Sequence, residues 1–548
     1  MVTPEQNTLQ TTVAERMLEL IDVRSPWHRS LWQLGTIHAI AEVLECTNAT
    51  WDGAINNGNA QKYLVDRCQI QVLGDVGIGD LPARELLAEK LKKLASKKLN
   101  GSAPSQQPLL EKEIEELAER GKRDYLRRWK IHVETGGLTR DSVERTARQV
   151  VSHFLDDGFD RRHIHGWLKA TLNNTTDSVL TQILDSGHDM CRKQEVDYSF
   201  AVPVQHGNTE RHAAGIEAIR LDLEVVRNEF AKLEDTSRYR GAFERLLSQD
   251  SAAVVGQTFR ARDPHAAAAK LKEWLQKVEA RAMVGHGGRT LTFSKVVLDR
   301  TDGRLRDLYS QEASLRVPAM DRHNLYAGAL NAQLDNALAL LSSYRNLSPV
   351  ASVATTWAAV EGLLGHPGAQ GIDSADGLAA IVACSFPRAE LEDLLGRPMT
   401  EAATAVGAGN GIAEAEGSHR ARLMLEAIRT YGSDIFTTPC DVAAAERILQ
   451  VDRDPAGTVT RIRDYFCDVF RRLYYQRNFV MHAAKFDSVS LPSTVRSAPK
   501  LVASGLDRVV HAQHVRKPIE PLALVARAQN EITLLGTTDA REIFRLLK

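Results

Sequence analysis

The sequence predicts a mainly α protein. It divides into a helical N-terminal region (residues 1–185), a small α+β middle domain (195–305) and a C-terminal helical bundle (320–548). Three observations carry this reading. Apolar residues recur every three or four positions over most of both ends. Alternating, β-branched runs are confined to the stretch between Val196 and Leu298. The 548 residues also exceed one core, and at about 150 residues per domain three or four domains are expected.

The elements follow in order. From Thr8 to Cys46 one apolar stripe runs through Val13, Met17, Leu20 and Ile21, then Leu31, Leu34, Ile37, Ile40 and Val43. Asn48 to Asn59, rich in Asn and Gly, reads as a loop. Arg84–Lys98 and Leu109–Trp129 read as charged amphipathic helices, joined by the linker Gly101–Pro108 (GSAPSQQP). Asp141 is placed to cap a helix Val143–Leu155, with Glu144 three residues later completing a capping box. Helix continues to Leu172 after a break near Gly158.

In the middle, Tyr198–Val204 alternates as a strand and Ala213–Leu233 reads as helix. Ala252–Arg260 reads as strand, Pro264–Ala282 as helix, Gly285–Gly288 as a tight turn and Arg289–Leu298 as strand. After the Asp302-Gly303 turn only helices are expected: Leu325–Tyr344, Pro349–Leu364, Ala375–Leu395, Ile412–Ile428, Val442–Gln450, Val459–Lys485 and Pro521–Leu535. Ser348 is the N-cap of the second, with Pro349 at its first position, where a missing N–H costs nothing.

Composition narrows the function. The formal net charge is −1, so any nucleic-acid surface must be a local patch. The six cysteines are scattered, without CxxC or zinc spacing, as expected of free thiols in a reducing compartment. The polar start MVTPEQNTLQ lacks a signal peptide's features, and no apolar run is long enough to span a membrane, so a cytoplasmic location is expected. Walker A, HExxH and GxSxG patterns are absent.

One motif carries chemistry. The segment YYQRNFVMHAAK holds Arg477-Asn478-Phe479-Val480-Met481-His482, the pattern R-N-x-x-x-H. On a helix Tyr474, Asn478 and His482 share a face. Arg477 lies about 140° away, within reach of a long side chain. Cutting RNA by its own 2′-hydroxyl needs a proton removed and a proton delivered, which imidazole can do near neutrality. It also needs a fixed cation for the charge that builds on phosphoryl oxygens, which guanidinium supplies. Asparagine can orient either group. The bare spacing R-x4-H is weak: Arg127/His132, Arg148/His153, Arg260/His265 and Arg281/His286 also match. Of these five arginines only Arg477 is followed by Asn, and only its pair lies in the helical C-terminal region.

This region resembles the HEPN superfamily, whose ribonucleases carry such a motif near the end of the last core helix. Thr355–Leu364 (TTWAAVEGLL) is similar to the W-x-x-x-E-x-L helix of those domains. The resemblance implies a homodimer through the helical domain, with two motifs forming one composite site. It implies a metal-independent endoribonuclease without cofactor, leaving a cyclic 2′,3′-phosphate and a 5′-hydroxyl. Arg477, Asn478 and His482 are then the catalytic candidates, Glu361 and Tyr475 accessory, and Arg471, Arg472 and Lys485 the RNA-binding ones. Trp357 is expected in the core. Ala484 stands where toxins paired with a nucleotidyltransferase antitoxin carry Tyr, so that form of control is not expected. The chain is more similar to large single-chain HEPN proteins of phage defence. That comparison implies a toxin or antiviral effector restrained by its N-terminal part, with a phage component or partner protein as trigger. The alternative is an inactive HEPN scaffold or nucleotide-binding sensor.

Other features read as structural. His163 and His165 begin a helix, which places them on different faces and argues against a metal pair. Gly407–Gly411 (GAGNG) lacks a preceding strand and a following Lys-Ser/Thr. Arg127, Arg128, Trp129 and Lys130 form a basic, aromatic helix end that reads first as a solvated face and second as an RNA contact.

Overall fold

Apolar periodicity is realised as helix over most of the chain. The computed structural model describes residues 4–53, 58–95, 106–175, 177–206, 216–233, 238–249, 253–285, 291–309, 315–328, 330–368 and 370–548. Most of the Gly101–Pro108 linker, most of the Gly285–Gly288 turn, part of the 48–59 loop and residues 213–215 of the expected 213–233 helix lie outside them; of the rest of that helix the α-helical element is Leu223–Ala231, behind a strand at Arg220–Leu221. The N-terminal helices are α1 (Pro4–Ile21), α2 (Thr36–Trp51), α3 (Gly58–Gly74), α4 (Leu81–Leu94), α5 (Gln106–Arg123), α6 (Tyr125–Glu134), α7 (Val143–Asp156), α8 (Arg161–Asn174) and α9 (Val179–Arg192). The expected charged helix 109–129 is thus two, parted at Asp124.

The capping box before α7 is not the one expected. Thr139 and Ser142 form it around a short 3-10 turn, Arg140–Ser142. Glu144 instead turns inward to accept from Arg16 Nε (2.7 Å) and Nη2 (3.0 Å), 128 residues away. A buried guanidinium binds a carboxylate more strongly than a cap does.

The chain forms two compact units. One comprises residues 1–156, 168–188 and 314–548; the other residues 157–167 and 189–313. The two helical ends, separate regions by sequence, therefore share one unit.

Among the described residues the smaller unit is built on six strands: β1 (Val196–His206), β2 (Arg220–Leu221), β3 (Val254–Ala261), β4 (Thr292–Phe293), β5 (Val296–Asp299) and β6 (Arg304–Asp307). Their order is β2-β3-β1-β5-β6, with β4 also on β1, and every pair is antiparallel. Alternation sends Phe200 and Val202 to one face, against α12 (Pro264–Gly285) through Leu271 and Leu275. Ala201 goes to the other, against Phe230 and Phe243 of α10 (Leu223–Ala231) and α11 (Arg240–Leu247). Helix was expected after Gly303; β6 stands there instead, completing a hairpin with β5 in which Arg306 Nε meets the buried Asp299 carboxylate at 2.8 Å.

In the larger unit the C-terminal helices are α13 (Pro318–Arg322), α14 (Ala332–Ser342), α15 (Pro349–Leu364), α16 (Gly371–Leu394), α17 (Glu401–Ala405), α18 (Ser418–Tyr431), α19 (Pro439–Arg453), α20 (Pro455–His482), α21 (Leu491–Gln513) and α22 (Pro521–Leu534). The expected helix 325–344 is shorter, beginning where Asn331 caps α14. Ser348 caps α15 as expected, accepting from Ala351 N–H. α21 was not expected at all. Its Pro499 lacks the N–H that would reach the Val495 carbonyl, and the Tyr344 hydroxyl donates there instead, at 2.8 Å.

The N-terminal helices complete this core rather than cover it. Trp32 meets Phe466 of α20 with ring centroids 4.7 Å apart, and Trp27 meets it at 5.9 Å. Arg29, fully buried, binds Glu390 (3.1 Å) and Asp441 (3.0 Å) of α16 and α19.

Candidate active site

The site is set by how α20 ends. Asp454 caps its start, accepting from Gly457 N–H, with Pro455 at the first position. Val459, Ile462, Phe466, Val469, Phe470, Leu473 and Phe479 form a buried stripe. That stripe fixes the helix's rotation, so Arg477 and Asn478 are left half-buried and His482 exposed. The chain then turns off: Ala484 adopts φ +49°, and the N–H groups of Ala483 and Lys485 both bond the Phe479 carbonyl at 3.1 Å. His482 is therefore the last helical residue, close to the solvent.

The three motif side chains meet. Arg477 Nη1 donates to Asn478 Oδ1 at 3.0 Å and lies 3.2 Å from His482 Nε2. A guanidinium only donates, so His482 Nε2 must present its lone pair, with the ring proton on Nδ1. Arg477 Nη2 also stands 4.0 Å from Glu361 Oε2, a long and partly exposed ion pair worth little to stability. Trp357, one turn before Glu361, is buried and packs on Tyr474 with centroids 5.1 Å apart.

The remaining sequence candidates are placed differently. Tyr475 is buried among the helices, where desolvation pushes its hydroxyl well above the usual range, so it does not offer a ring to RNA. Arg471 Nε binds Asp376 Oδ1 at 2.6 Å, and its guanidinium lies 4.1 Å from the Tyr63 ring centroid. Arg472 is buried with Glu42, at 2.9 and 3.1 Å from its two oxygens. Lys485 Nζ pairs with Glu45 Oε1 at 2.9 Å, and Glu45 also accepts from Ser488 Oγ at 2.6 Å. All three cations meet carboxylates, two of them on α2. For Arg471 and Arg472 the partners lie 95 and 430 residues away, beyond any local pattern.

Two neighbours were missed. Met481 and Phe486, immediately before His482 and four residues after it in the chain, are 58% and 57% exposed. The available signal was that both fall off the apolar stripe.

The bland readings elsewhere hold in part. Trp129 is buried, donating to Asp75 Oδ1 at 3.2 Å; Arg128 caps the carbonyls of Gly77 and Gly121 at 2.8 Å; Lys130 pairs with Asp185. That basic stretch is thus a structural staple rather than a solvated end. His163 stacks on Phe159, and Gly407 and Gly411 take positive φ in a turn after α17. Among the described residues no group of three or more His, Cys, Asp or Glu is arranged to hold a metal ion, and no helix is long and apolar enough to cross a membrane.

Compared with protein-family models, curated proteins and solved structures, the chain matches none of them.

Proposed function

We propose that the chain is a metal-independent endoribonuclease of HEPN type that cuts RNA through attack of its own 2′-hydroxyl. The observation that carries the reading is the convergence of Arg477, Asn478 and His482 at the exposed end of α20, with the Nε2 lone pair of His482 turned to Arg477. In the proposed step His482 Nε2 takes the proton of the 2′-hydroxyl. O2′ then bonds to phosphorus, the bond to O5′ breaks, and O5′ receives a proton from a second acid. A second copy of the chain supplies that acid as its own imidazole, which is why a homodimer through the helical bundle belongs to the proposal. Arg477 holds the charge that develops on the phosphoryl oxygens, a role typically worth about 100- to 1,000-fold in rate. Asn478 keeps Arg477 pointed at His482. Glu361 limits how far Arg477 swings.

A cytoplasmic toxin or antiviral effector is the biological role that fits an RNase of this kind, with a phage component or partner protein as trigger. Restraint by a detachable N-terminal region does not fit well. Deleting residues 1–310 removes Trp27, Trp32 and Arg29 from the shared core, so insolubility is the expected result rather than raised toxicity.

A second reading, an inactive scaffold or nucleotide sensor, has one observation in its favour: Arg471, Arg472 and Lys485 are already paired with carboxylates, which leaves a small basic footprint for RNA. The test between them is a short RNA carrying a single 2′-deoxy nucleotide at the mapped cut. The proposal expects cleavage there to stop and neighbouring cuts to persist. Cleavage that continues at the deoxy position contradicts 2′-hydroxyl attack.

A further inference from the structure

Five arginines are buried among the described residues: Arg16, Arg29, Arg148, Arg472 and Arg508. Four of them end on carboxylates. Arg16 meets Glu19 and Glu144, Arg29 meets Glu390 and Asp441, Arg148 meets Glu144, and Arg472 meets Glu42. This is what electrostatics requires, because an uncompensated buried charge is strongly destabilising. Arg508 is the exception. It is 8% exposed, its Nη2 donates to the Leu547 carbonyl at 2.8 Å, and its Nε has no acceptor.

The neighbourhood deepens the exception. Arg388 of α16 also ends on carbonyls of the C-terminal tail, those of Phe544 (3.2 Å) and Leu546 (2.9 Å). One turn after Arg508, His511 Nδ1 lies 3.0 Å from His323 Nε2, and His323 lies 5.9 Å from His514 between ring centroids. Arg322 joins from α13, half exposed. Among the described residues the carboxylates that act on these groups include Asp507, held by Arg322 and Ala319 N–H, and Glu392 and Glu531. Among the described residues neither Arg508 nor Arg388 forms an ion pair with any of them; both end on tail carbonyls instead. The groups register it: burial, Arg388 and Arg322 push Arg508 down to about 10, and burial with Arg508, Arg322 and His323 pushes His511 down to about 4.

We infer that Arg508 and Arg388, with Arg322, His323 and His511 at the solvent side, form a binding site for a phosphate-class oxyanion, separate from the Arg477/His482 motif. A tetrahedral dianion supplies what this cluster lacks. It accepts from guanidinium N–H groups in fork geometry, and its charge favours uptake of one proton by the His323–His511 pair, which keeps their shared hydrogen bond and leaves both outer ring nitrogens as donors. Clamping the tail explains the carbonyl bonds. It does not explain why this arginine, unlike the other four, is left without an anion. Asp507 is committed to Arg322, so the missing counter-charge comes from a ligand. Arg322, His323 and His511 are all partly exposed, which gives that ligand its way in.

The test titrates the full chain with inorganic phosphate, sulfate and adenosine monophosphate against chloride at equal ionic strength, reading heat and thermal midpoint. Saturable phosphate binding is expected, with net proton uptake detected as a dependence on buffer ionisation enthalpy. Affinity should tighten as pH falls from 8 to 6. Arg322→Ala and His511→Gln leave the tail clamp in place, and each is expected to weaken phosphate at least ten-fold. His482→Ala should leave phosphate binding unchanged, which separates this site from the proposed nuclease centre. Equal affinity for phosphate and the nucleotide assigns the site to a free phosphoryl group; much tighter nucleotide binding that Arg322→Ala abolishes assigns it to a nucleotide. If phosphate and sulfate behave like chloride, or the two rim variants bind phosphate as wild type does, the site does not exist.

Discussion

Arginine plays opposite parts at two places on the same bundle. Around Arg29 every guanidinium ends on carboxylates: Arg29 on Glu390 and Asp441, Arg447 on Glu390 at 2.6 Å, Arg16 on Glu144. Around Arg477 the guanidinium rests on an amide and an imidazole, with its nearest carboxylate at 4.0 Å. The first cluster is closed and buried, and its charges are spent on holding α1, α16 and α19 together. The second is open, and its charge is still available to a substrate. Partner chemistry, not residue type, separates a structural arginine from a candidate catalytic one.

The comparison breaks most visibly at Glu390, which is fully buried. Glu390→Ala takes a shared carboxylate from Arg29 and Arg447 at once, leaving Asp441 and Glu144 among their remaining partners, and is expected to cost about 3 kcal/mol, read by chemical denaturation; a loss below about 1 kcal/mol would mean the network is rearranged rather than broken. A paired experiment sharpens it on one helix. Arg472→Ala should lower stability by a similar amount, because it leaves Glu42 buried and alone. Arg477→Ala should leave the thermal midpoint nearly unchanged while lowering RNA cleavage by about 100-fold or more. The same effect from both variants would erase the distinction.

Acid should loosen the closed cluster first. Burial, with Arg29 alongside, pushes His28 down to about 3, and burial pushes His153, stacked on Tyr125, to about 3 as well. Both imidazoles are held neutral in the folded chain, whereas unfolded ones titrate near 6.5. Their contribution is complete above that pH and is lost progressively as pH falls towards 3. Denaturation midpoints measured between pH 7.5 and 4.5 should therefore fall, and His153→Phe should flatten part of the slope. A flat profile would show that these histidines are not buried neutral. The smallest effect is expected from Lys485→Ala. Its pair with Glu45 is partly solvated, so the loss should stay under about 1 kcal/mol.

Much of the fold was legible in local patterns. Pro349–Leu364 was read to the residue because Ser348 and Pro349 mark its start unambiguously. The alternating Tyr198–Val204 run marked β1, and the R-N-x-x-x-H spacing marked three side chains that meet. What stayed hidden depends on distant partners. α21 was missed because Pro499 and its serines look like helix breakers until the Tyr344 hydroxyl replaces the lost donor. β6 was missed because four residues, Arg304–Asp307, make sense as a strand only beside β5. Arg472 was read as a surface cation because Glu42 lies 430 residues away. The union of both helical ends in one unit was hidden for the same reason: Trp32 and Phe466 carry no local sign of each other.

Under the proposed function, the open cluster at Arg477 and His482 cuts RNA without a metal. The direct measurement is cleavage of total and transfer RNA by the purified chain in EDTA, wild type against His482→Ala. Cleavage by the wild type alone, with cyclic 2′,3′-phosphate ends, is expected. Equal cleavage by both proteins, or cleavage that EDTA abolishes, would contradict it.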